Sequence, residues 1–540
     1  MSELPPFSVS PQHSVLSTIF GSFRDPSGFL FFENGTLFRS VSRLYQQNYD
    51  HLIQSGLYNK LVADDLLIPH REVQPPAEAS GKQGNRGGIG GHDSASCPPI
   101  PEAHVRRGNP YKIIQPEIVP FISYPYEWCF SQLKDAALAL IRIQKQALDC
   151  NMSLKDASAY NMQFFKGKPI LIDTLSFEIY KENQPWVAYR QFCQHFLAPL
   201  SLMASRDIRL GQLMRIYIDG LPLDLVSGLL PISTWFKPAL LTHIHLHAKA
   251  QKRYAGQGFG GHDPISSKIG IVSPESLASA PKRKLTKHSL TALIHHLESA
   301  ITSMQWHPTS TEWSNYYEDT NYSPEAMNHK KRLVEAYLSE SNPRTIWDLG
   351  ANTGVFSRIA TAKDIDTIAF DVDPAAVEKN YLMMKGMKWG QISNQVKKGT
   401  DFKSVPFSET KLLPLCLDLT NPSPPLGWAN EERLSLIERG PADTVLALAL
   451  IHHLTISNNL PFSHIAAFLS QVCRFLIIEF VPKNDSQVQR LLRSREDIFP
   501  DYNQEHFEHA FNHHFLILKS QALPGTLRII YLLKRKCLLN

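Results

Sequence analysis

Short apolar runs alternate with longer amphipathic stretches along the second part of the chain. The runs that are almost continuously hydrophobic are Thr345–Leu349, Thr367–Asp371, Leu412–Leu417, Thr444–Leu450 and Phe475–Phe480. Continuously apolar strands separated by amphipathic segments predict an α/β fold, in which helices cover both faces of a parallel sheet. Two final apolar runs flank Pro524 and Gly525, which predicts an antiparallel hairpin appended to that sheet.

The first part of the chain has a different pattern. Residues Ser27–Val41 contain two short strand-like runs joined by an Asn-Gly pair, which favours a two-residue hairpin turn. Helical periodicity follows over Arg43–Asn59 and Phe130–Cys150, and again from Trp186 onwards. This pattern predicts a small mixed lobe followed by a helical one, which together form an α+β domain.

Two segments without apolar periodicity interrupt these patterns. Residues 74–108 are dense in Gly, Pro and Ser, so we expect a mobile surface insertion there. A stretch that includes a basic run predicts a linker over residues 256–310. The sequence therefore predicts a recognition domain over residues 1–255 and an α/β domain over residues 311–540.

Composition narrows the class of protein further. At 540 residues, with 43% hydrophobic and 19% charged side chains, the chain is long enough for two or three globular domains. The 55 basic and 50 acidic side chains leave a net charge of +5, which neither indicates nor excludes a nucleic-acid partner. The seven cysteines show no CxxC spacing, and no apolar run reaches the roughly 18 residues of a membrane span. We therefore predict a cytoplasmic protein without a membrane partner.

The most specific motif follows the first predicted strand of the α/β domain. The sequence DLGANTG, from Asp348 to Gly354, ends that strand and leads into a helical segment, where open α/β sheets bind ligands. Gly350 permits a tight turn and close ligand approach, and Gly354 lets the helix pack near the strand. Asn352 stands in place of a third glycine, and asparagine tolerates left-handed backbone angles better than most residues.

Acidic residues end the next two predicted strands. Asp371 ends the second strand, and one carboxylate there can accept hydrogen bonds from both hydroxyls of a ribose. Taken alone, this carboxylate also fits a dinucleotide site. Three features count against a dinucleotide: the glycine spacing is D-x-G-x-N-x-G, a third strand ends near Asp418, and the chain closes with an antiparallel hairpin.

In this order of parts, residues 311–540 resemble the class I S-adenosylmethionine-dependent methyltransferases. The resemblance implies a Rossmann-like sheet and S-adenosylmethionine as the cofactor, with the Gly-rich loop beside its methionine portion. It also implies that Asp371 binds the ribose hydroxyls and Asp418 the adenine amino group. Two simpler interpretations stay open, in which Asp348 caps a turn and Asp418 begins a loop. The cofactor-binding residues implied by the resemblance are Asp348, Gly350, Asn352, Gly354, Asp371 and Asp418.

The fourth predicted strand ends in His452 and His453, where members of this family place substrate-facing residues. Histidine titrates near neutral pH, so either imidazole is a candidate general base for an oxygen or nitrogen acceptor. The alternative is that one histidine caps the next helix and the other packs against the cofactor. Glu479 closes the fifth strand and is a further catalytic candidate. Trp313 and neighbouring tyrosines precede the first strand, either as a cap over the cofactor or as an aromatic packing cluster.

The recognition domain contains a second pattern, SLKDASAYNMQFFKGKPILID, which ends at Asp173. It resembles the catalytic segment of protein kinases and aminoglycoside phosphotransferases, which implies Asp156 as the base and Asn161 and Asp173 as magnesium ligands. Leu154 stands where kinases usually carry histidine, no glycine follows Asp173, and the first lobe has no Gly-rich loop or matching lysine. The alternatives are a kinase-like fold that has lost phosphoryl transfer, with no metal site, and an unrelated helical domain.

Together these patterns predict a methyltransferase that acts on a small-molecule or glycan acceptor. The chain also has a weaker resemblance to bacterial nodulation-type methyltransferases. Catalysis would consist mainly of holding the methyl donor and the acceptor in line. Two alternatives are a non-catalytic, cofactor-binding scaffold and a bifunctional small-molecule kinase and methyltransferase.

Overall fold

A computed structural model describes the protein over residues 17–18, 22, 24–73, 110–256, 286–307, 322–386, 410–493 and 496–536. The predicted insertion over 74–108 and the predicted cap residue Trp313 lie outside these ranges. Below, the described residues up to 307 are called the first half, and those from 322 onwards the second half. Among the described residues, no helix combines the length and the apolar character needed to span a bilayer.

The first half begins with an antiparallel sheet. Its strands are β1 Ser17–Thr18, β2 Leu30–Glu33, β3 Thr36–Val41, β4 His70–Val73 and β5 Lys112–Pro116. They are hydrogen-bonded in the order β1-β2-β3-β5-β4. The predicted Asn-Gly hairpin joins β2 to β3, where Asn34 and Gly35 have φ angles of 49° and 76°. Two consecutive positive φ angles give the turn the twist that adjacent strands require.

A long helix, α3, lies at the centre of the first half. Buried Leu133, Ala137, Leu140 and Ile141 recur at three- and four-residue intervals, so one side of α3 faces the core. The helices of this half are α1 Gln46–Gln54, α2 Leu57–Ala63, α3 Phe130–Asp149, α4 Tyr189–Phe192, α5 Ala198–Ser205, α6 Leu213–Ile216, α7 Leu223–Leu229, α8 Pro238–Leu240, α9 His247–Gly256 and α10 Lys287–Ser303. Cys193–Leu197 and Leu241–Leu246 are π-helical.

Four short strands follow α3. They are β6 Met152–Leu154, β7 Met162–Phe165, β8 Lys168–Leu171 and β9 Phe177–Ile179. β6 pairs with β9 and β7 pairs with β8, both antiparallel. This pairing brings the loop between β6 and β7 beside the loop between β8 and β9.

The predicted linker over 256–310 contains a packed helix. Helix α10 buries Leu290, Ile294 and Leu297, which are spaced to lie on one side. Lys134 of α3 donates hydrogen bonds from Nζ to the carbonyls of Thr302 and Met304, each at 2.7 Å. This portion of the segment is therefore an element of the first half, while residues 257–285 and 308–310 lie outside the described residues. The exact domain boundary stays a prediction.

The second half contains the predicted sheet. Its strands are β10 Thr345–Leu349, β11 Asp366–Asp371, β12 Leu412–Cys416, β13 Ala442–Ala447, β14 Cys473–Phe480, β15 Phe515–Ala522 and β16 Ile529–Arg535. Their order is β12-β11-β10-β13-β14-β16-β15. The first five strands in that order are parallel, and β16 lies antiparallel between β14 and β15. The predicted Rossmann-like sheet with a terminal antiparallel hairpin is confirmed.

Helices cover this sheet only in part. They are α11 Pro324–Ser341, α12 Val355–Thr361, α13 Pro374–Met384, α14 Phe462–Val472, α15 Ser486–Leu492 and α16 Gln504–Asn512. Residues 417–441, all of which are described, cross from β12 to β13 without an α-helix. The fourth strand ends earlier than predicted, at Ala447, and Ala449 has a positive φ of 51° that takes the chain out of the extended conformation.

The first half packs against the sheet of the second half. The ring centroid of Phe121 lies 5.8 Å from that of Trp347 in β10 and 6.0 Å from that of Phe370 in β11, both edge-to-face. A single cluster of buried side chains extends from α3 to the strands β10 to β14. The two halves therefore share one hydrophobic core.

A buried ion pair also joins the halves. Arg439, in the crossover before β13, donates from Nη1 and Nη2 to the Glu127 carboxylate at 2.9 and 2.6 Å. The two side chains are only 2% and 1% exposed. The Arg439 guanidinium also lies over the rings of Phe121 and Tyr124, 4.8 and 4.7 Å from their centroids. One arginine thus combines bidentate pairing with stacking, for which its planar group is suited.

We expect the substitution Arg439→Met to lower the free energy of unfolding by about 3 kcal/mol, because it leaves the Glu127 carboxylate buried without its cation. Urea unfolding followed by circular dichroism measures this change. Arg209→Met is the matched control, since Arg209 pairs with Asp207 at the surface and its loss should change stability little. Equal effects of the two substitutions would contradict a special contribution from the buried pair.

Candidate functional site

The Gly-rich loop follows β10 at the carboxyl end of the parallel strands. Gly350 and Gly354 have φ angles of 73° and 78°, and Asn352 has a φ of 50°. A Cβ atom on Gly354 would stand 2.6 Å from the Asn380 side-chain amide, and one on Gly350 would lie 3.3 Å from Cδ1 of Leu450. Both glycines are therefore required by backbone conformation, and Gly354 also by the close approach of α13.

Asp371 ends β11 and is hydrogen-bonded to this loop. Its Oδ2 atom accepts from the Asn352 amide at 2.7 Å, and its Oδ1 atom accepts from the Asp373 amide at 2.8 Å. The amides of Gly350 and Ala351 donate in turn to the carbonyl of Phe370, each at 2.9 Å. The loop and the strand end form one hydrogen-bonded unit around the Asp371 carboxylate.

Asp348 is buried at the base of the loop. Its Oδ2 atom accepts from the Ser357 hydroxyl at 2.6 Å, which ties β10 to the first turns of α12. Burial raises the pKa of Asp348 to about 6, and also raises the pKa of Asp371 to about 6. Strongly perturbed carboxyls next to a strained loop are typical of a functional site.

Asp418 lies just beyond the end of β12 and is exposed. Its Oδ1 atom accepts from the amide and the hydroxyl of Thr420, at 2.8 and 2.6 Å, so this oxygen begins a turn. The Leu417 amide donates to the Asp371 carbonyl at 2.8 Å, which places the ends of β11 and β12 side by side.

Sequence analysis missed Val372, an apolar side chain that is 59% exposed directly after Asp371. An apolar residue after an acidic strand end was the signal that could have identified it.

After β13, His452 precedes the π-helix His453–Ser457, and the ring centroids of His452 and His453 are 4.1 Å apart. Leu450, two residues before His452, lies next to Gly350. His452 is 1% exposed, and its Nδ1 atom has no hydrogen-bond partner within the described residues. Burial holds the pKa of His452 well below its ordinary value and lowers that of His453 to about 4. Both imidazoles are neutral at pH 7.

Glu479 lies in a buried cluster of paired charges. Its carboxylate accepts from Lys330 Nζ at 2.6 Å and from the hydroxyl of Tyr322. Arg528 donates to the same tyrosine hydroxyl at 2.6 Å and to both carboxylate oxygens of Asp485, at 2.8 and 3.0 Å. Although burial raises it, the charges of Lys330 and Arg528 bring the pKa of Glu479 below its ordinary value. Glu479 therefore has an ion-pairing position, and these contacts give no support to its predicted catalytic role.

The residues of the kinase-like pattern also lie close together. Asp156 and Asn161 lie in the loop between β6 and β7, and Asp173 follows β8. Burial raises the pKa of Asp156, and the charge of Asp173 raises it further. The Asn161 side-chain amide donates to Ser176 Oγ at 3.5 Å, and Ser176 Oγ donates to Asp173 Oδ2 at 2.7 Å.

An arginine supplies the positive charge of this acidic cluster. Arg39 of β3 lies with Nη2 2.9 Å from Asp173 Oδ1 and 2.6 Å from Asp25 Oδ2. The amide of Leu175 also donates to Asp173 Oδ1, at 3.0 Å. Both oxygens of Asp173 are thus engaged by protein donors, and the role of Asn161 and Asp173 as magnesium ligands stays a prediction. A kinase-like fold for the first half stays a prediction.

The strand order of the second half, together with its Gly-rich loop and acidic strand end, defines a class I methyltransferase fold. No protein-family model matches the chain. It is 32% identical over 517 residues to the nodulation protein NoeA of Rhizobium meliloti (strain 1021), and the match covers 95% of each chain. The chain therefore belongs to the NoeA family of nodulation proteins.

Solved methyltransferase structures match about two fifths of the chain at low identity. The magnesium protoporphyrin IX methyltransferase ChlM of Synechocystis PCC 6803, with bound SAM, is 15% identical and covers 42% of this chain and 89% of its own, with a TM-score of 0.26. The N-methyltransferase NodS of Bradyrhizobium japonicum WM9 is 10% identical and covers 40% and 99%, with a TM-score of 0.26. The fold assignment rests on strand order and register and not on these scores.

We expect the substitution Asp348→Asn to stabilise the protein more at pH 7.5 than at pH 5. The folded-state pKa of about 6 lies above the ordinary 3.8, so the stabilising effect of the carboxyl is present at low pH and is lost as pH rises through 6. Between pH 5 and pH 7.5, the stability difference between variant and wild type should grow by about 1 kcal/mol.

Urea unfolding at the two pH values measures this difference. Asp501→Asn is the control, because that side chain is 79% exposed. A stability difference for Asp348→Asn that stays constant with pH would contradict the raised pKa of the buried carboxyl.

Proposed function

We propose that this protein is an S-adenosylmethionine-dependent methyltransferase. The observation that carries the proposal is the hydrogen-bonded unit formed by the Gly-rich loop and Asp371 at the ends of β10 and β11. When bound, the cofactor would supply an electrophilic methyl group on a sulfonium centre. The chain's own residues would bind the cofactor, orient the acceptor and remove a proton from it.

The residues at the strand ends fit this cofactor. Each oxygen of Asp371 accepts one backbone amide, and a carboxylate oxygen has a further lone pair for a ribose hydroxyl. Gly350 has no side chain that would block the approach of the methionine portion to the loop. Val372 offers an apolar surface for adenine, and Asp418 offers a carboxylate for its amino group.

His452 is the candidate proton acceptor. Its buried Nδ1 atom has no hydrogen-bond partner within the described residues, and the neutral imidazole can accept a proton from a hydroxyl or amine. The neighbouring charges of Lys330 and Arg528 are balanced within their own cluster by Glu479 and Asp485. Burial and the charges of Arg528 and Lys330 nevertheless lower the pKa of His452, which makes it a weak base. Orientation of the two reactants would therefore account for most of the rate.

The acceptor is proposed to be a small molecule or a glycan in the cytoplasm. The related protein NoeA is named for nodulation, and the matched NodS is named as an N-methyltransferase. These names support a nodulation-type methyltransferase. The first half shares a hydrophobic core with the methyltransferase sheet, and we propose that it also recognises the acceptor.

Titration of S-adenosylhomocysteine into the full-length protein by calorimetry tests the cofactor site. We expect micromolar binding that weakens at least about tenfold in Asp371→Ala, because hydrogen bonds to a charged group contribute about 1.5–3 kcal/mol each. Asp366→Ala, at the other end of the same strand, is the matched control and should bind as wild type does. Absence of binding to folded wild type would contradict the proposal.

We expect His452→Asn to lower the rate of methyl transfer about a hundredfold or more, because the substitution removes the proton acceptor. Transfer of a radioactive methyl group from S-adenosylmethionine to the small-molecule and glycan fractions of a bacterial extract measures the rate. His453→Asn is the matched control, and both variants should keep their affinity for S-adenosylhomocysteine. Loss of transfer only in His453→Asn would assign the proton acceptor to His453 instead.

A further inference from the structure

Helix α13 is connected directly to the Asp371 carboxylate. Asp373 precedes the helix, donates its amide to Asp371 Oδ1 at 2.8 Å, and accepts from the Ala375 amide at 2.9 Å as the N-cap. A displacement of α13 would therefore move the donor that orients Asp371. The position of this helix is set by what packs against it.

The first turn of α3, in the first half, holds the middle of α13. The Ser131 amide donates to Glu378 Oε2 at 3.0 Å, and the Ser131 hydroxyl donates to Glu378 Oε1. Glu378 is almost wholly buried. A carboxylate at the amino-terminal end of a twenty-residue helix is also stabilised by the helix dipole.

The next turn of α3 makes a second polar contact with the same helix. Asp135 Oδ2 accepts from the Tyr381 hydroxyl and from Lys385 Nζ, each at 2.7 Å. Between these contacts, the buried Gln132 side chain donates to the Pro414 carbonyl of β12 at 2.9 Å. Three positions in two turns of α3 thus hold both α13 and the strand that leads to Asp418.

This contact occupies a place that the second half leaves uncovered. The crossover over residues 417–441 supplies no α-helix, and a parallel sheet needs cover on both faces. Phe121 of the first half packs against β10 and β11, and α3 contacts α13 and β12. The contact combines hydrogen bonds to α13 and β12 with aromatic packing against β10 and β11.

We infer that the first half is a structural layer of the methyltransferase sheet, and that Ser131 and Asp135 are positioning residues for Asp371. They act through Glu378, Tyr381 and α13 and touch no reactant themselves. The inference rests on the proposed function, since Asp371 is the proposed ribose ligand. It assigns the first half an effect on cofactor affinity that is transmitted through α13.

Binding of S-adenosylhomocysteine to full-length Ser131→Ala and Asp135→Asn tests this inference. Each substitution should weaken binding about fivefold to tenfold, and the effect should vanish when Asp371→Ala is already present, because coupled residues are not additive. Ser131→Thr keeps the hydroxyl and should retain wild-type affinity. Tyr45→Phe is the control, because it removes a buried hydrogen bond of 2.7 Å to the Phe177 carbonyl elsewhere in the first half.

Hydrogen exchange of the amides over residues 371–382 provides a readout that needs no ligand. Faster exchange there in Ser131→Ala, but not in Tyr45→Phe, would support the inference. This holds even if wild type failed to bind S-adenosylhomocysteine, because that failure would overturn only the proposed function. Unchanged exchange, or affinities equal to wild type in both α3 variants, would overturn the inference. Equal loss of affinity in Tyr45→Phe would also overturn it, because the effect would then be general destabilisation.

Discussion

Parallel sheets occur with both faces covered, and among the described residues the second half supplies no α-helix between β12 and β13. Phe121 packs against Trp347 and Phe370, and α3 contacts α13 and β12. This packing makes the first half part of the methyltransferase core. The carboxyl ends of the strands, where the candidate site lies, depend on contacts that are remote in sequence.

The contact between the halves is strongly polar as well as aromatic. Burying a charged pair contributes little net stability, because desolvation offsets much of the attraction. Its effect is greater on geometry, since a bidentate arginine permits only one arrangement of the two groups that it joins. Arg439 with Glu127, and Ser131 with Glu378, therefore fix the orientation of the halves. A purely apolar contact would allow more than one register.

In the first half, the residues of the kinase-like pattern lie together and are paired with other side chains of the protein. Asp156, Asn161 and Asp173 come together as their spacing predicts, because β6 pairs with β9 and β7 pairs with β8. Arg39 pairs with both Asp173 and Asp25 and so partly balances the negative charge of the cluster. The same carboxylates that resemble metal ligands thus contribute to the stability of the fold.

The sequence by itself determined the features that depend on near neighbours. The order of the strands along the chain, the Asn34-Gly35 hairpin and the left-handed turns of the Gly-rich loop follow from local apolar patterns and from residues that accept positive φ angles. The sequence also predicts that β11 ends in an acidic residue, Asp371. These features involve residues only a few positions apart, so the local sequence is enough to determine them.

Only the tertiary structure decided which distant groups meet. The local pattern placed Glu479 at a strand end, but its pairing with Lys330, 149 residues away, gave it a buried ion pair. Arg439 and Glu127 are 312 residues apart, and neither lies in a motif. Ion-pair and hydrogen-bond partners that are distant in sequence depend on the tertiary fold of the whole chain. The periodicity of a single segment carries no information about those long-range contacts.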